Sequence, residues 1–220
     1  MNCEEFIYNL APFNQLREHE LSIIKERSST ICLREGDLIY KQNTPITQII
    51  LLKSGCVEIL ERNKSGNNIL HLITGPDFVE LSNIFYSEMY LNSAVSVTPS
   101  ELCYIDKESL KKAIVTNDGF AIGLMEYICA AEIKKFKTMS KLFRKRASER
   151  VAWLLLYFSD NVFKSIEFKL PLTGSEIANL LGISKRSFIR TIGELSHVQV
   201  IENSGSRIKI LNHLLLSQQC

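Results

Sequence analysis

The chain of 220 residues has no Cys-x-x-Cys pair, no long apolar run and no basic or apolar leader. Each absence removes a class of protein. The six cysteines, Cys3, Cys32, Cys56, Cys103, Cys129 and Cys220, are 24 to 91 residues apart. That spacing gives no support to a zinc ribbon or a cysteine-ligated iron–sulfur cluster, so no metal site is expected. Reduced thiols packed as small hydrophobes are expected instead, with a redox role open only at Cys3 and Cys220 near the termini. The longest apolar stretch, VAWLLLYF from Val151 to Phe158, is far too short to span a bilayer. The start, MNCEEF, is acidic and unlike a signal peptide. A cytoplasmic protein without a membrane partner is therefore expected. There is no Gly-x-Ser-x-Gly, no His-Glu-x-x-His and no phosphate loop, and His19, His71, His197 and His213 are scattered. No enzyme and no catalytic residue is expected.

What is present is an uneven distribution of charge. Residues 1–137 hold 14 Lys+Arg against 18 Asp+Glu, whereas residues 138–220 hold 12 against 6. A basic C-terminal third behind an acidic N-terminal part points to a polyanionic partner for the former.

The texture changes along the chain. Residues 1 to about 30 have helical spacing, with Leu16, Leu21 and Ile24 on one face. From Ile31 to Ile105 short runs rich in β-branched residues alternate with Gly36, Gly55, Gly66 and Gly75, the pattern of an antiparallel barrel or sandwich. DKESLKKAIVTN then reads as a short helix. A long one is predicted from Asp118 to Phe143, where Ile122, Met125, Cys129, Glu132, Phe136, Met139 and Phe143 recur at alternating spacings of three and four. That is a heptad seam with one polar member. Packing on its own domain competes with dimerisation as its explanation. A helix of that length, about 40 Å, exceeds what a small barrel covers, which favours a dimer interface through Met125, Cys129, Phe136, Met139 and Phe143. The basic stretch that ends this helix, KLFRKRASER with Lys134, Lys135 and Lys137 before it, reads as a solvated face. Three parts are expected: a β-rich domain over 1–117, a dimerisation helix and hinge over 118–145, and a basic C-terminal domain over 146–220.

The last part reads as helix, turn, helix and wing. In PLTGSEIANLLG, Thr173 followed three residues later by Glu176 makes a capping box, and Gly182 makes the turn. Ser184 caps a second helix that runs to about Leu195, and VQVIENSGSRIKIL gives two strands around Ser204-Gly205. Two such helices around a Gly turn fit a DNA-binding helix-turn-helix. Lys185, Arg186 and Arg190 would reach base edges, while Phe188, Ile192 and Leu195 point into the domain. Thr173, Ser175, Ser184 and Ser187 suit phosphate. A competing reading makes the chain a small-molecule-binding module acting through protein contacts, which the cation cluster argues against.

Over nearly its whole length the chain resembles the cyclic AMP receptor protein/fumarate-nitrate regulator (Crp/Fnr) family of bacterial transcription factors. The stretches that carry the resemblance are LREGDLIYKQ, ILLKSGCVEIL, GPDFVELSNIF with NSAVSV, and LTGSEIANLLGISKRSFIRTI. It implies an α+β architecture: an N-terminal antiparallel β-roll of the cyclic-nucleotide-binding, cupin-like kind, a long dimerisation helix and a C-terminal winged helix. It also implies a homodimer on double-stranded DNA with an inverted-repeat operator, and it allows RNA polymerase as a further partner. Arg186 departs from the better-known members, which carry Glu there, so the operator should differ from theirs. In the cyclic-nucleotide-binding members a Gly-Glu pair and a later Arg-Ser pair hold the ligand. Ungapped alignment sets Glu80 on that Gly, Leu81 on that Glu, Asn92 on that Arg and Ser93 on that Ser; sliding by one residue would set Glu80 on that Glu, but no register restores the Arg, since none occurs between Arg62 and Arg144. A cyclic phosphate buried without a cation is costly. The roll is therefore not expected to bind cyclic AMP in the family manner. No cofactor is evident: the oxygen-sensing branch uses closely spaced N-terminal cysteines where this chain has Cys3 alone, and His71, the candidate haem ligand, reads as a structural histidine. The effector, if there is one, is unknown.

Overall fold

The structure, a computed structural model, describes Ile7, residues 10–63 and residues 66–220. Two compact units emerge, residues 1–62 with 72–137 and residues 63–71 with 138–220. The chain passes between them at both ends of the segment 63–71 and inside the long helix.

The first unit is built on two antiparallel four-stranded sheets. One has the order β1 (Ser28–Leu33), β8 (Ser100–Asp106), β3 (Gln48–Ser54), β6 (Asp77–Phe78). The other runs β2 (Leu38–Tyr40), β7 (Ser93–Ser96), β4 (Cys56–Asn63), β5 (Gly66–Thr74). Strands distant in sequence pair closely: Ser28 faces Ile105 and Leu33 faces Ser100. On β3 the five residues from Ile49 to Lys53 are all buried, in place of the alternation of a half-exposed strand. Both faces of that strand are covered, which calls for a continuous apolar run. Gly55, at φ +98°, is required by a close approach. A Cβ there would stand 2.3 Å from Ser100 Oγ and 2.7 Å from the Pro99 carbonyl oxygen.

Helices α1 (Glu18–Glu26) and α3 (Lys107–Thr116) flank the roll, with the short α2 (Asn83–Tyr86) after β6. Asp106 caps α3 by accepting from Ser109 N–H at 2.9 Å. The long helix α4 spans Asp118–Phe143, the bounds its heptad spacing predicts. Its first turns pack on the roll through Phe120 and Leu124. Phe13 lies edge-on to Phe120 at 5.3 Å and stacks with Phe78 at 5.8 Å, and Tyr127 meets Phe78 edge-on at 5.6 Å. This cluster fixes α4 to the segment around β6.

The sequence places the first strand at Ile31, but it begins at Ser28. The polar run Ser28–Thr30 carries no apolar alternation, because β1 is a largely exposed edge. Cys32, Cys56, Cys129 and Cys220 are free, and burial pushes the Cys56 thiol up to about 12. Cys103 is disulfide-bonded, which corrects the expectation of reduced thiols throughout. Linear spacing does not reveal which thiols a fold brings together. Cys3 lies outside the described residues.

The second unit holds α5 (Ala147–Tyr157), a π-turn at Phe158–Phe163, β9 (Glu167–Lys169), α6 (Gly174–Leu180), α7 (Lys185–His197), β10 (Ile201–Ser204), β11 (Arg207–Ile210) and α8 (His213–Gln218). The wing is a three-stranded sheet in the order β10-β11-β9, one strand more than the sequence suggests. No helix among the described residues is long and apolar enough to cross a membrane.

Candidate nucleic-acid interface and effector roll

The helix-turn-helix is set by local chemistry. Thr173 Oγ1 accepts from Glu176 N–H at 3.3 Å, and Glu176 Oε2 accepts from Thr173 N–H at 2.7 Å, closing the capping box. At the other end of α6, Gly182 takes φ +61°. Ile183 N–H then bonds the Ala178 carbonyl at 2.9 Å and Gly182 N–H the Asn179 carbonyl at 3.0 Å. That is a Schellman ending, for which glycine carries the least strain. Ser184 caps α7, accepting from Ser187 N–H at 3.1 Å, with the two hydroxyls 2.9 Å apart.

Side chains divide cleanly around α7. Phe188, Thr191, Ile192 and Leu195 are buried; Lys185, Arg186, Ile189, Arg190 and Gly193 are exposed. All three cations are thus outward, and Arg186 and Arg190 share a face by their i, i+4 spacing. Arg190 has one neighbour of opposite charge, Glu194 at 3.7 Å, and both side chains are more than 60% exposed, 68% and 63%. Such a pair holds an arginine weakly, with a median of ~0–1 kcal/mol, and leaves it free to turn to a base. Thr173, Ser175 and Ser184 are exposed and Ser187 is half-buried. Three of the four phosphate candidates, Thr173, Ser184 and Ser187, are engaged in caps. Their oxygens face the N-terminal ends of α6 and α7, where free N–H groups and the helix dipole favour an anion.

Arg150 is a residue that sequence reasoning missed. From α5 its Nη1 donates to the Leu181 carbonyl at 2.8 Å, its Nε to the Lys145 carbonyl at 3.0 Å and its Nη2 to the Phe143 carbonyl at 3.2 Å. One guanidinium therefore ties the end of α4 to the turn that orients α7. In the sequence it is one more cation in a basic cluster.

In the roll, Glu80 stands at φ +55°, a conformation common for glycine and rare for glutamate. Leu81 is buried, and its side chain offers no acceptor. Asn92 is partly exposed, and the Ser93 hydroxyl accepts from Gln42 N–H at 3.0 Å.

A cation does lie here, but it comes from α4. Lys135 Nζ is 3.2 Å from Glu80 and 3.1 Å from Glu132. Burial pushes the Lys135 ammonium down, yet the two carboxylates outweigh it and hold it above its ordinary range. The solvated face read from the sequence is thus broken at this lysine. The same seam of contacts includes Ser82 Oγ donating to Glu132 at 3.3 Å and Tyr127 O–H donating to Asp77 at 2.7 Å. Burial first, then the Asp77 bond and charge, push the Tyr127 phenol well above its usual range. The Tyr40 hydroxyl is buried with no hydrogen-bond partner among the described residues, and Tyr40 stacks on Tyr90 at 3.8 Å.

Glu132, the polar member of the heptad spacing, is held by Ser82 and Lys135, whereas the apolar members are uncovered. Ile122, Met125, Phe136, Met139 and Phe143 are 53 to 73% exposed, and Cys129 is exposed as well.

The comparisons with known proteins agree with this geometry. Residues 30–117 match the cyclic nucleotide-binding domain family, and residues 149–218 match the Crp-like helix-turn-helix domain family. The transcriptional activator protein FnrA of Stutzerimonas stutzeri is 26% identical over 83% of this chain and 76% of its own length. The fumarate and nitrate reduction regulatory protein of Vibrio cholerae is 26% identical over 98% of this chain and 85% of its own. Among solved structures, a Crp/Fnr family transcriptional regulator of Eubacterium rectale superposes with a TM-score of 0.80 at 21% identity, covering 96% of this chain and 97% of that one. With both parts matched in the order of roll and winged helix, the chain belongs to the Crp/Fnr family of transcription factors.

Proposed function

We propose that the chain acts in the cytoplasm as a homodimer that reads an inverted-repeat operator through its two copies of α7. The observation that carries this is the outward face of α7, with three exposed cations backed by a fully buried apolar face. Arg186 and Arg190 read guanine by bidentate hydrogen bonds to O6 and N7. Lys185, at the helix start, pairs with phosphate or a base. Thr173, Ser175, Ser184 and Ser187 seat the phosphates on either side. The dimer forms along α4, which leaves large apolar side chains uncovered in the single chain. It places the two α7 helices in successive major grooves, with half-site centres about 10 base pairs apart. RNA polymerase is then the partner through which a bound dimer acts on transcription.

The roll answers to a ligand other than cyclic AMP, or to none. Leu81 and Asn92 supply neither the acid nor the cation, and Lys135 is committed to two carboxylates that would repel a phosphate. Selection of bound sequences from random DNA by the purified protein tests the reading. An enriched inverted repeat with guanines in each half-site is expected. Recovery of no preferred sequence would refute it.

A further inference from the structure

Ile189 stands in the middle of α7 and is 58% exposed. The core does not need it, since Phe188, Thr191, Ile192 and Leu195 fill the inward face. A single exposed aliphatic side chain is ordinary on a protein surface. Its neighbours make this one informative. Arg186 lies three residues before it and Arg190 directly after, both exposed. One turn further along the same face is Gly193, also exposed, and a Cβ added there would meet nothing within 4 Å. Glycine inside a helix destabilises it relative to alanine, and no steric demand among the described residues explains it. The face therefore carries cation, apolar group, cation and a bare backbone in sequence.

A surface complementary to that order has acceptors on both sides of an apolar group and comes close to the helix at Gly193. The DNA major groove has these properties. It offers guanine O6 and N7 and the phosphates as acceptors, and its one apolar group is the thymine C5-methyl. We propose that Ile189 is a specificity-determining residue that reads a thymine methyl in each half-site, beside a guanine read by Arg186 or Arg190. Gly193 lets the groove wall approach the helix there. This rests on the operator reading above and adds to it a base that no hydrogen-bonding residue of α7 accounts for.

The test replaces thymines of the selected operator one at a time with deoxyuridine, which deletes the methyl and keeps every hydrogen-bonding group. At one thymine per half-site the wild-type protein should lose about fourfold in affinity, the equivalent of ~0.8 kcal/mol for one buried methyl group. With both half-sites changed the loss should be about sixteenfold. Ile189→Ala and Ile189→Ser should bind the thymine operator more weakly than the wild type and be indifferent to deoxyuridine at that position. Both variants should fold, because the side chain is mostly exposed, and circular dichroism checks this. Wild-type affinity unchanged by deoxyuridine at every position overturns the proposal. So does a variant that keeps the full methyl effect. A chain that enriches no sequence overturns the operator reading and this one with it, whereas an enriched operator without a methyl effect overturns this one alone.

Discussion

Replacing Met125 and Phe136 together by glutamate should split the dimer. In the single chain Met125 is 62% exposed and Phe136 73% exposed. Full burial of a Met or Phe side chain contributes ~1.5–3 kcal/mol. Scaled by those exposures, the pair forfeits about 2–4 kcal/mol per protomer, and about 4–8 kcal/mol in a two-fold dimer where each occurs twice. The introduced carboxylates add a desolvation penalty and meet their own copies near the axis. Buried area converts incompletely into affinity, so the lower end is the safer expectation. Each ~1.4 kcal/mol is tenfold, so the dimer dissociation constant should rise by at least about a thousandfold. Sedimentation at micromolar concentration should show a dimer for the wild type and a monomer for the variant, with far-ultraviolet dichroism unchanged. Operator binding should fall towards that of a single half-site as the linked second contact is lost. A wild type that sediments as a monomer, or a double variant that stays a dimer, refutes the seam.

Other expectations follow from the same geometry. Arg186→Ala and Arg190→Ala should each cost about 1–3 kcal/mol per half-site and relax preference at one position, measured by titrating operator variants; unchanged base preference would mean that the residue reads nothing. Lys185→Ala, if the lysine pairs with phosphate, should weaken all sequences alike and lower the salt slope by about one per contact. Gly193→Ala should raise the melting temperature, by the equivalent of about 0.5–1 kcal/mol, and at the same time weaken operator binding. Millimolar cyclic AMP should leave the melting temperature unmoved, where a ligand at 100 times its dissociation constant would add about 2.7 kcal/mol. Glu20 accepts from Asn117 Nδ2 at 2.8 Å and from Arg17 N–H at 2.9 Å, and these bonds hold its carboxyl below the usual range. Its contribution to stability is therefore present above the ordinary carboxylate value near 4.3 and is lost as pH falls through the depressed folded value. Asn117→Ala should flatten that acid limb in a pH series of melting temperatures.

The parts legible in the sequence are those whose signals are local. The helix from Asp118 to Phe143 is readable to the residue because its apolar spacing persists over several turns and a charged residue opens it. The helix-turn-helix is readable because Thr173, Glu176, Gly182 and Ser184 each act on backbone groups within five residues. The roll is legible as β but not in its pairing, since β1 meets β8 across most of the domain. The third wing strand, Glu167–Lys169, is too short to alternate visibly. The π-turn at Phe158–Phe163 follows an apolar helix without a break in composition. In the sequence Ile189 is one more apolar residue of α7, and only its exposure in the fold separates it from Phe188 and Ile192.

Lys135 shows most clearly what a linear reading misses. Among Lys134, Lys137 and Lys141 it carries no mark of its own, and on the sequence it is one cation of a solvated run. The fold lays α4 along the segment 77–83, so that Tyr127 reaches Asp77, Glu132 reaches Ser82 and Lys135 reaches Glu80. These are three turns of one helix against three residues of a single short segment. α4 thereby brings a cation to Glu80. Lys135 faces Glu80 and Glu132, which leaves a local excess of one negative charge against any incoming phosphate. The Ser93 hydroxyl is already bonded to the backbone at Gln42. A ligand that entered this loop would meet Glu80, Lys135 and Glu132 already paired, and its binding would compete with the contacts that hold α4 against residues 77–82.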